Sequence, residues 1–221
     1  MRSFSSEGIL FDLDGVLVDS TPCVTRVWSR WARQHGLSAE SVLHVAHGQR
    51  TIETVRAVAP HLDAQWETDR IEQMEIDDTE GLRVLPGATK LLTTLPPERY
   101  SVVTSGTRRL ATKRLQVAGL PVPVTMITAD DVTHGKPSPE PYLAGARALS
   151  LEAKQCLVFE DAPSGIRSAA NAGMSVIALS TTFAAAELTG ADLVIASLLE
   201  VEATAAASGL LVTIKAGRAP V

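Results

Sequence analysis

Ile9-Leu10-Phe11-Asp12-Leu13-Asp14-Gly15-Val16-Leu17-Val18-Asp19 is the stretch around which this chain is organised. Its opening apolar run is short enough to be one buried strand. Two aspartates follow with one residue between them, then a glycine. Residues i and i+2 of a strand point the same way. If the strand ends near Asp12 and the chain turns at Gly15, both carboxylates reach the same spot at its C-terminal edge. In open α/β sheets that edge is where ligands bind. Carboxylates held that close repel one another unless a cation lies between them or one is protonated. Mg²⁺ takes oxygen ligands and keeps several waters that a phosphate can replace. The stretch therefore predicts a carboxylate–metal site for a hard cation such as Mg²⁺, with one aspartate free to act as nucleophile. Taken alone, the same residues also read as an acidic turn facing solvent, and the rest of the chain has to decide.

A length of 221 residues suits one domain, or a domain with a moderate insertion. A net charge of −5 argues against a nucleic-acid partner, which would need a basic face. Cys23 and Cys156 lie far apart in no metal-binding pattern and read as buried thiols. Met1 to Glu7 is short and polar, without the apolar segment of a signal peptide. No apolar run approaches the roughly 18–20 residues of a membrane span. A cytoplasmic, monomeric enzyme with no membrane partner is the expectation.

After the opening strand, Thr21 reads as a helix cap and Pro22 as its first turn. Val24, Val27, Trp28, Trp31 and His35 follow at helical spacing up to Gly36, and the two tryptophans are expected in a core. A short helix from Ala39 to Val45 leads into His47-Gly48-Gln49-Arg50. A helix capped by Thr51 ends at Pro60, and another runs over about 64–78. Residues 20–84 thus read as all-helical. From Leu85-Pro86-Gly87 onward strands and helices alternate. Strands are predicted at Tyr100–Thr104, Val124–Thr128, Cys156–Phe159, Val176–Leu179 and Leu193–Ile195, with helices between. The Ala-rich segments 184–186 and 203–207 have helix composition, and 210–221 has no assignment beyond docking as a short strand or fraying. The fold class is α/β: a Rossmann-like parallel sheet with helices on both faces, interrupted by an all-helical insertion. The division is 1–19 with 85–221 as the core domain and 20–84 as a cap domain.

Three further groups stand where a strand ends. Ser105-Gly106-Thr107 opens a helix, and a hydroxyl, a flexible backbone and a helix N-terminus make a phosphate cradle or, more plainly, an N-cap. Lys136 is held between Gly135 and Pro137, so it is placed to neutralise a phosphate or a carboxylate cluster. Glu160-Asp161 closes the most hydrophobic later strand and matches the metal demand of Asp12 and Asp14. Each lies at the carboxyl end of a predicted parallel strand, so all four can face one crevice.

Phe11-Asp12-Leu13-Asp14-Gly15, Val102-Val103-Thr104-Ser105-Gly106, Gly135-Lys136-Pro137-Ser138-Pro139 and Val158-Phe159-Glu160-Asp161-Ala162-Pro163-Ser164-Gly165 resemble, in order, the four motifs of the haloacid dehalogenase-like hydrolases. The resemblance covers essentially the whole chain. It extends to the helical-cap, β-phosphoglucomutase-like phosphatases through Ser20-Thr21-Pro22, the Trp28/Trp31 helix, His47-Gly48-Gln49-Arg50-Thr51, Thr107 and Ala118-Gly119-Leu120-Pro121. Within them the chain is most similar to sugar-phosphate, 2-deoxyglucose-6-phosphate and glycerol-3-phosphate phosphatases. What the resemblance implies is specific. Asp12 is the nucleophile and Asp14 the general acid. Mg²⁺ is held by Asp12, Asp161 and the main-chain carbonyl of Asp14, with Glu160 supporting through water. Ser105, the Gly106 N–H and Lys136 hold the transferring phosphoryl group. The cap sets substrate choice, with His47, Gly48, Arg50 and Glu75 as its candidates; a surface role is the plainer reading for Arg50 and Glu75. Val16 departs from the threonine of many relatives without touching the chemistry. The implied reaction is Mg²⁺-dependent hydrolysis of a small phosphorylated metabolite, a sugar or polyol phosphate. A sugar phosphomutase is the alternative. A dehalogenase is disfavoured because an alkyl halide needs no proton from Asp14, and a non-catalytic binding protein is disfavoured because every reactive residue is present.

Overall fold

A computed structural model of the chain describes residues 1–206 and 209–215. Its strands are β1 (Arg2–Ser6), β2 (Gly8–Phe11), β3 (Val18–Asp19), β4 (Arg83–Val84), β5 (Tyr100–Val103), β6 (Met126–Ile127), β7 (Cys156–Glu160), β8 (Ser175–Leu179), β9 (Leu193–Ile195), β10 (Val201–Ala206) and β11 (Gly209–Ile214). Its α-helices are α1 (Thr21–Gln34), α2 (Ala39–Ala46), α3 (Thr51–Val58), α4 (Ala64–Asp77), α5 (Ala88–Thr94), α6 (Arg108–Val117), α7 (Glu140–Ala148) and α8 (Pro163–Asn171). Six strands form one parallel sheet in the order β6-β5-β2-β7-β8-β9. The strand that carries the first aspartate pair is therefore central, between the strands that end at Ser105 and at Glu160-Asp161.

The period of two within each buried strand builds both faces of the core. Ile9, Phe11, Val102, Leu157, Phe159, Ile177 and Leu179 pack on one face with Leu91 and Leu92 of α5 and Ala111 and Leu115 of α6. Leu10, Val103, Val158, Val176 and Ala178 pack on the other with Tyr142 and Ala146 of α7 and Ile166 and Ala169 of α8. Strands covered on both sides read as continuous apolar runs. Each such leucine, isoleucine or phenylalanine stabilises the fold by about 1.5–3 kcal/mol.

Between β3 and β4 the chain makes α1–α4, which have a hydrophobic cluster of their own around Trp28, Trp31, Val42, Val55 and Ile71. A polar contact reaches into the cluster: the Trp31 indole N–H donates to Glu67 at 2.8 Å. Helix α1 begins at Thr21, with Ser20 at the capping position. The Ser20 hydroxyl does not cap; it goes to Asp14. Cys23 and Cys156 are buried free thiols. No helix among the described residues is long and apolar enough to cross a membrane.

Three expectations are corrected. Residues 20–84 are not wholly helical, because Asp19 and Val18 pair antiparallel with Arg83 and Val84 where the insertion leaves and rejoins the sheet. The strand expected at Val124–Thr128 is only Met126–Ile127. The Ala-rich run from Ala203 is strand, not helix: β10 pairs antiparallel with β11, and β11 with β1. Val201, Ala203, Leu210, Val212 and Ile214 all join the core on that face, so burial of a two-residue period overrides the helical preference of alanine. Ala207 and residues 216–221 lie outside the described residues. The polar start of the chain is a strand as well, because β1 is an edge partner of that same sheet.

Candidate active site

Asp12 takes the first position after β2, and its N–H donates to Phe159 O at 2.9 Å, continuing the ladder with β7. This pairing sets Asp12 beside Glu160 and Asp161. One carboxylate oxygen from each of the three lies within 4.8 Å of the others, and all three residues are buried. The chain then turns at Gly15, whose φ of +79° suits glycine and whose absent Cβ would sit against the Asp161 carboxylate. Lys136 reaches into the cluster from the loop before α7, 1% exposed, and donates to Asp12 at 2.5 Å, Glu160 at 2.6 Å and Val103 O at 3.2 Å.

Glu160 is fully committed. One oxygen accepts from Lys136 and from the Tyr142 hydroxyl at 3.0 Å, and the other accepts the N–H groups of Asp161 and Ala162. Gly165 leaves the room this needs, since a Cβ there would overlap the Glu160 carboxylate. Burial raises the Asp12 carboxyl to about 7, against the opposing pull of Lys136, with Glu160 and Asp14 raising it further. Asp161 is raised well above the usual carboxylate range by burial and by Glu160 and Asp12. Burial works against the Lys136 charge, yet Asp12 and Glu160 outweigh it and raise its pKa. Three carboxylates thus face one ammonium. The residues fit a hard divalent cation, whose charge offsets the imbalance and whose ligands are oxygens. The side chain of Asp14 is not among the three that come together in this cluster.

Asp14 faces a cavity of about 70 Å³ between the sheet edge and the helical insertion, lined also by Asp12, Ser105, Gly106 and Asp161. One Asp14 oxygen accepts from Ser20 at 2.6 Å and the other from Arg114 at 2.6 Å. The Ser105 hydroxyl donates to Gly48 O at 3.0 Å, and the Ser164 hydroxyl to the same oxygen at 3.3 Å. The Gly106 N–H, expected to face a phosphate, donates here to the Thr104 hydroxyl.

The insertion brings three of its four expected residues to the cavity. His47 lines it, and burial lowers the pKa of its ring, favouring the neutral imidazole. Gly48 meets the sheet edge so closely that a Cβ would touch Ala162 and Ser164. Glu75 is not on a solvated face: it is buried on α4, lines the cavity and has a carboxyl pushed up to about 7 by burial. Arg50 goes elsewhere. It forks onto Glu53 and donates to the carbonyls of Val132 and Thr133, tying the insertion to the loop that carries Lys136. Sequence reasoning gave no place in the site to Ser20, Trp28, Thr104, Arg114 and Thr182, which share this cavity, or to Tyr142, which donates to Glu160. Arg114 had a signal: it falls on the face set by Leu110, Ala111 and Leu115, the buried side of α6.

Comparison with known proteins places this geometry. The family described as haloacid dehalogenase-like hydrolase matches residues 9–179, from β2 through β8 and across the insertion. Hexitol phosphatase A of Escherichia coli (strain K12) is 43% identical over 208 residues, covering 92% of this chain and 96% of its own. Glycerol-1-phosphate phosphohydrolase 1 of Saccharomyces cerevisiae is 36% identical over 194 residues, covering 82% of this chain and 77% of its own. Among solved structures, a hydrolase from Pseudomonas syringae superposes with a TM-score of 0.79 at 27% identity, covering 87% of this chain and 94% of that one.

Proposed function

The chain belongs to the haloacid dehalogenase-like hydrolase family, and from that premise we propose that it is a Mg²⁺-dependent phosphatase of small sugar or polyol phosphates working through an aspartyl-phosphate. The observation that carries the reading is the convergence on one cavity of Asp12, Asp14, Ser105 and Asp161, with Lys136 buried against Asp12. The names of the relatives, which act on hexitol and glycerol phosphates, support the substrate class.

In this reading an Asp12 oxygen attacks phosphorus, the P–O bond to the alcohol breaks, and Asp14 gives its proton to the departing oxygen. Asp14 then takes a proton from water as that water attacks the aspartyl-phosphate, which releases phosphate and restores Asp12. Ser105 and Lys136 stabilise the charge on the transferring oxygens, exchanging their present acceptors for phosphoryl oxygens. Asp12, Asp161 and the Asp14 carbonyl, with Glu160 behind, would hold Mg²⁺, which when bound would supply the positive charge that lets an anionic nucleophile approach an anionic ester. Residues 20–84 act as the cap. Their own core makes them a unit that can move, and Gly48 and Arg50 are among the contacts by which they close on the sheet edge and exclude water. Glu160 orients Lys136 and Tyr142.

The test is to quench turnover of a polyol phosphate in acid and map the protein by mass spectrometry. A phosphoryl adduct on the peptide containing Asp12, with free phosphate and the alcohol as products, is expected. An isomerised phosphate ester without free phosphate would instead identify a phosphomutase.

A further inference from the structure

The proposed mechanism gives no role to one buried charge. Arg114 sits in the middle of α6 on its buried face, and a guanidinium there is costly unless its charge is met. It is met from two parts of the molecule. Its Nη1–H donates to Asp14 Oδ2 at 2.6 Å, on the turn after β2. Its Nη2–H donates to Glu75 Oε2 at 3.0 Å, on α4 of the insertion. Its Nε–H is buried with no partner. Glu75 also takes a hydrogen bond from the Trp28 side chain. Trp28, Glu75, Arg114 and Asp14 all line the cavity that holds Asp12 and Ser105. A rigid planar fork can serve two carboxylates at once, whereas a lysine offers one point charge.

We propose that Arg114 is a positioning residue for the leaving-group half of the reaction, fixing the Asp14 carboxyl and registering, through Glu75, that the helical insertion is seated over the site. The inference rests on the phosphatase reading above. Ser20 and Arg114 address the two oxygens of Asp14 separately, so removing the arginine leaves that carboxyl held on one side only. Glu75 connects the same guanidinium to the insertion, so the acid is best placed when α4 packs against α6.

The effect must depend on the leaving group. An alkyl phosphate needs protonation of its departing oxygen, whereas p-nitrophenolate leaves without it. Arg114→Gln, Arg114→Lys and Glu75→Gln are compared with wild type on glycerol phosphate and on p-nitrophenyl phosphate, after circular dichroism confirms folding. Arg114→Gln should lose about 100-fold in kcat on the alkyl ester, within the range of a general-acid contribution, and at least about tenfold less on the aryl ester. Arg114→Lys, which spares the packing and the charge, should shift the ratio of the two rates in the same direction by a smaller factor. Glu75→Gln should shift it too, with a rise in KM for the alkyl ester. Equal losses on both esters in Arg114→Lys and Glu75→Gln would overturn the proposal, since a structural defect acts alike on both. Failure of the phosphatase reading looks different: wild type would then release phosphate from neither ester, or Asp12→Asn would release it as fast as wild type.

Discussion

Removing the divalent cation and raising the pH should destabilise this protein through Asp12, by an amount the site itself sets. The Asp12 carboxyl is raised from 3.8 to about 7, chiefly because it is buried. Its folded pKa lies above its unfolded one, so the folded chain binds this proton more tightly. The stabilisation is then fully present below about pH 4 and is lost as pH rises through about 7. Three pKa units at about 1.4 kcal/mol each make a difference of about 4 kcal/mol between acid and alkaline conditions. For a chain of this size that corresponds to a fall in Tm of about 10 °C. Added Mg²⁺ should reverse most of it at about pH 8, since a cation at 100 times its Kd contributes about 2.7 kcal/mol. It should do less at about pH 5, where it must displace protons. Thermal unfolding followed by circular dichroism, with chelator and with Mg²⁺ at both pH values, measures this. Glu75, also raised to about 7, and Asp161, raised well above the usual carboxylate range, add slopes of the same sign, so Asp12→Asn is the control that isolates the Asp12 share. A metal-free Tm that does not fall with pH, or a slope that Asp12→Asn leaves intact, would refute the reasoning.

Gly15→Ala puts a Cβ at φ +79° against Asp161 and Thr182; it should lower stability by about 1–2 kcal/mol and weaken Mg²⁺ binding, read by urea denaturation and calorimetric titration. Ser105→Ala removes the hydroxyl that the proposed mechanism turns from Gly48 O to the transferring phosphoryl group and should lower kcat by about 100-fold with Tm nearly unchanged; a loss confined to KM would remove Ser105 from the reaction. Trp31→Phe deprives the buried Glu67 of its indole donor and should cost about 2 kcal/mol in urea denaturation. Stability matching wild type would mean that His35 and Arg70, which also approach Glu67, carry that carboxylate alone.

Most of the sheet and the heart of the site are legible in the sequence because they coincide. Ile9–Phe11, Tyr100–Val103 and Cys156–Phe159 are short runs buried on both faces, and each stops where a charged or hydroxyl side chain begins. Strand β7 goes one residue further, and Glu160 is buried because Lys136, Tyr142 and two main-chain N–H groups satisfy it. Illegible features depend on partners distant in sequence. Strand β10 is alanine-rich and is a strand only because β11 pairs with it and β1 with β11, the last linking residues from opposite ends of the chain. Glu75 looks like an acid on a solvated helix until Arg114, 39 positions away, is brought to it. Arg50 stands in a turn that suggests substrate contact, yet its acceptors, the carbonyls of Val132 and Thr133, lie more than 80 positions on. Arg114 itself breaks an apolar face for a reason visible only when Asp14 and α4 are in place.

The most direct measurement of the central claim is phosphate release from a panel of hexitol, glycerol and sugar phosphates, with Mg²⁺ and with chelator, in wild type and Asp12→Asn. Release that requires Mg²⁺, is highest for a polyol or sugar ester and is abolished in Asp12→Asn is the predicted result. Release that persists in Asp12→Asn, or that continues unchanged in chelator, would contradict it.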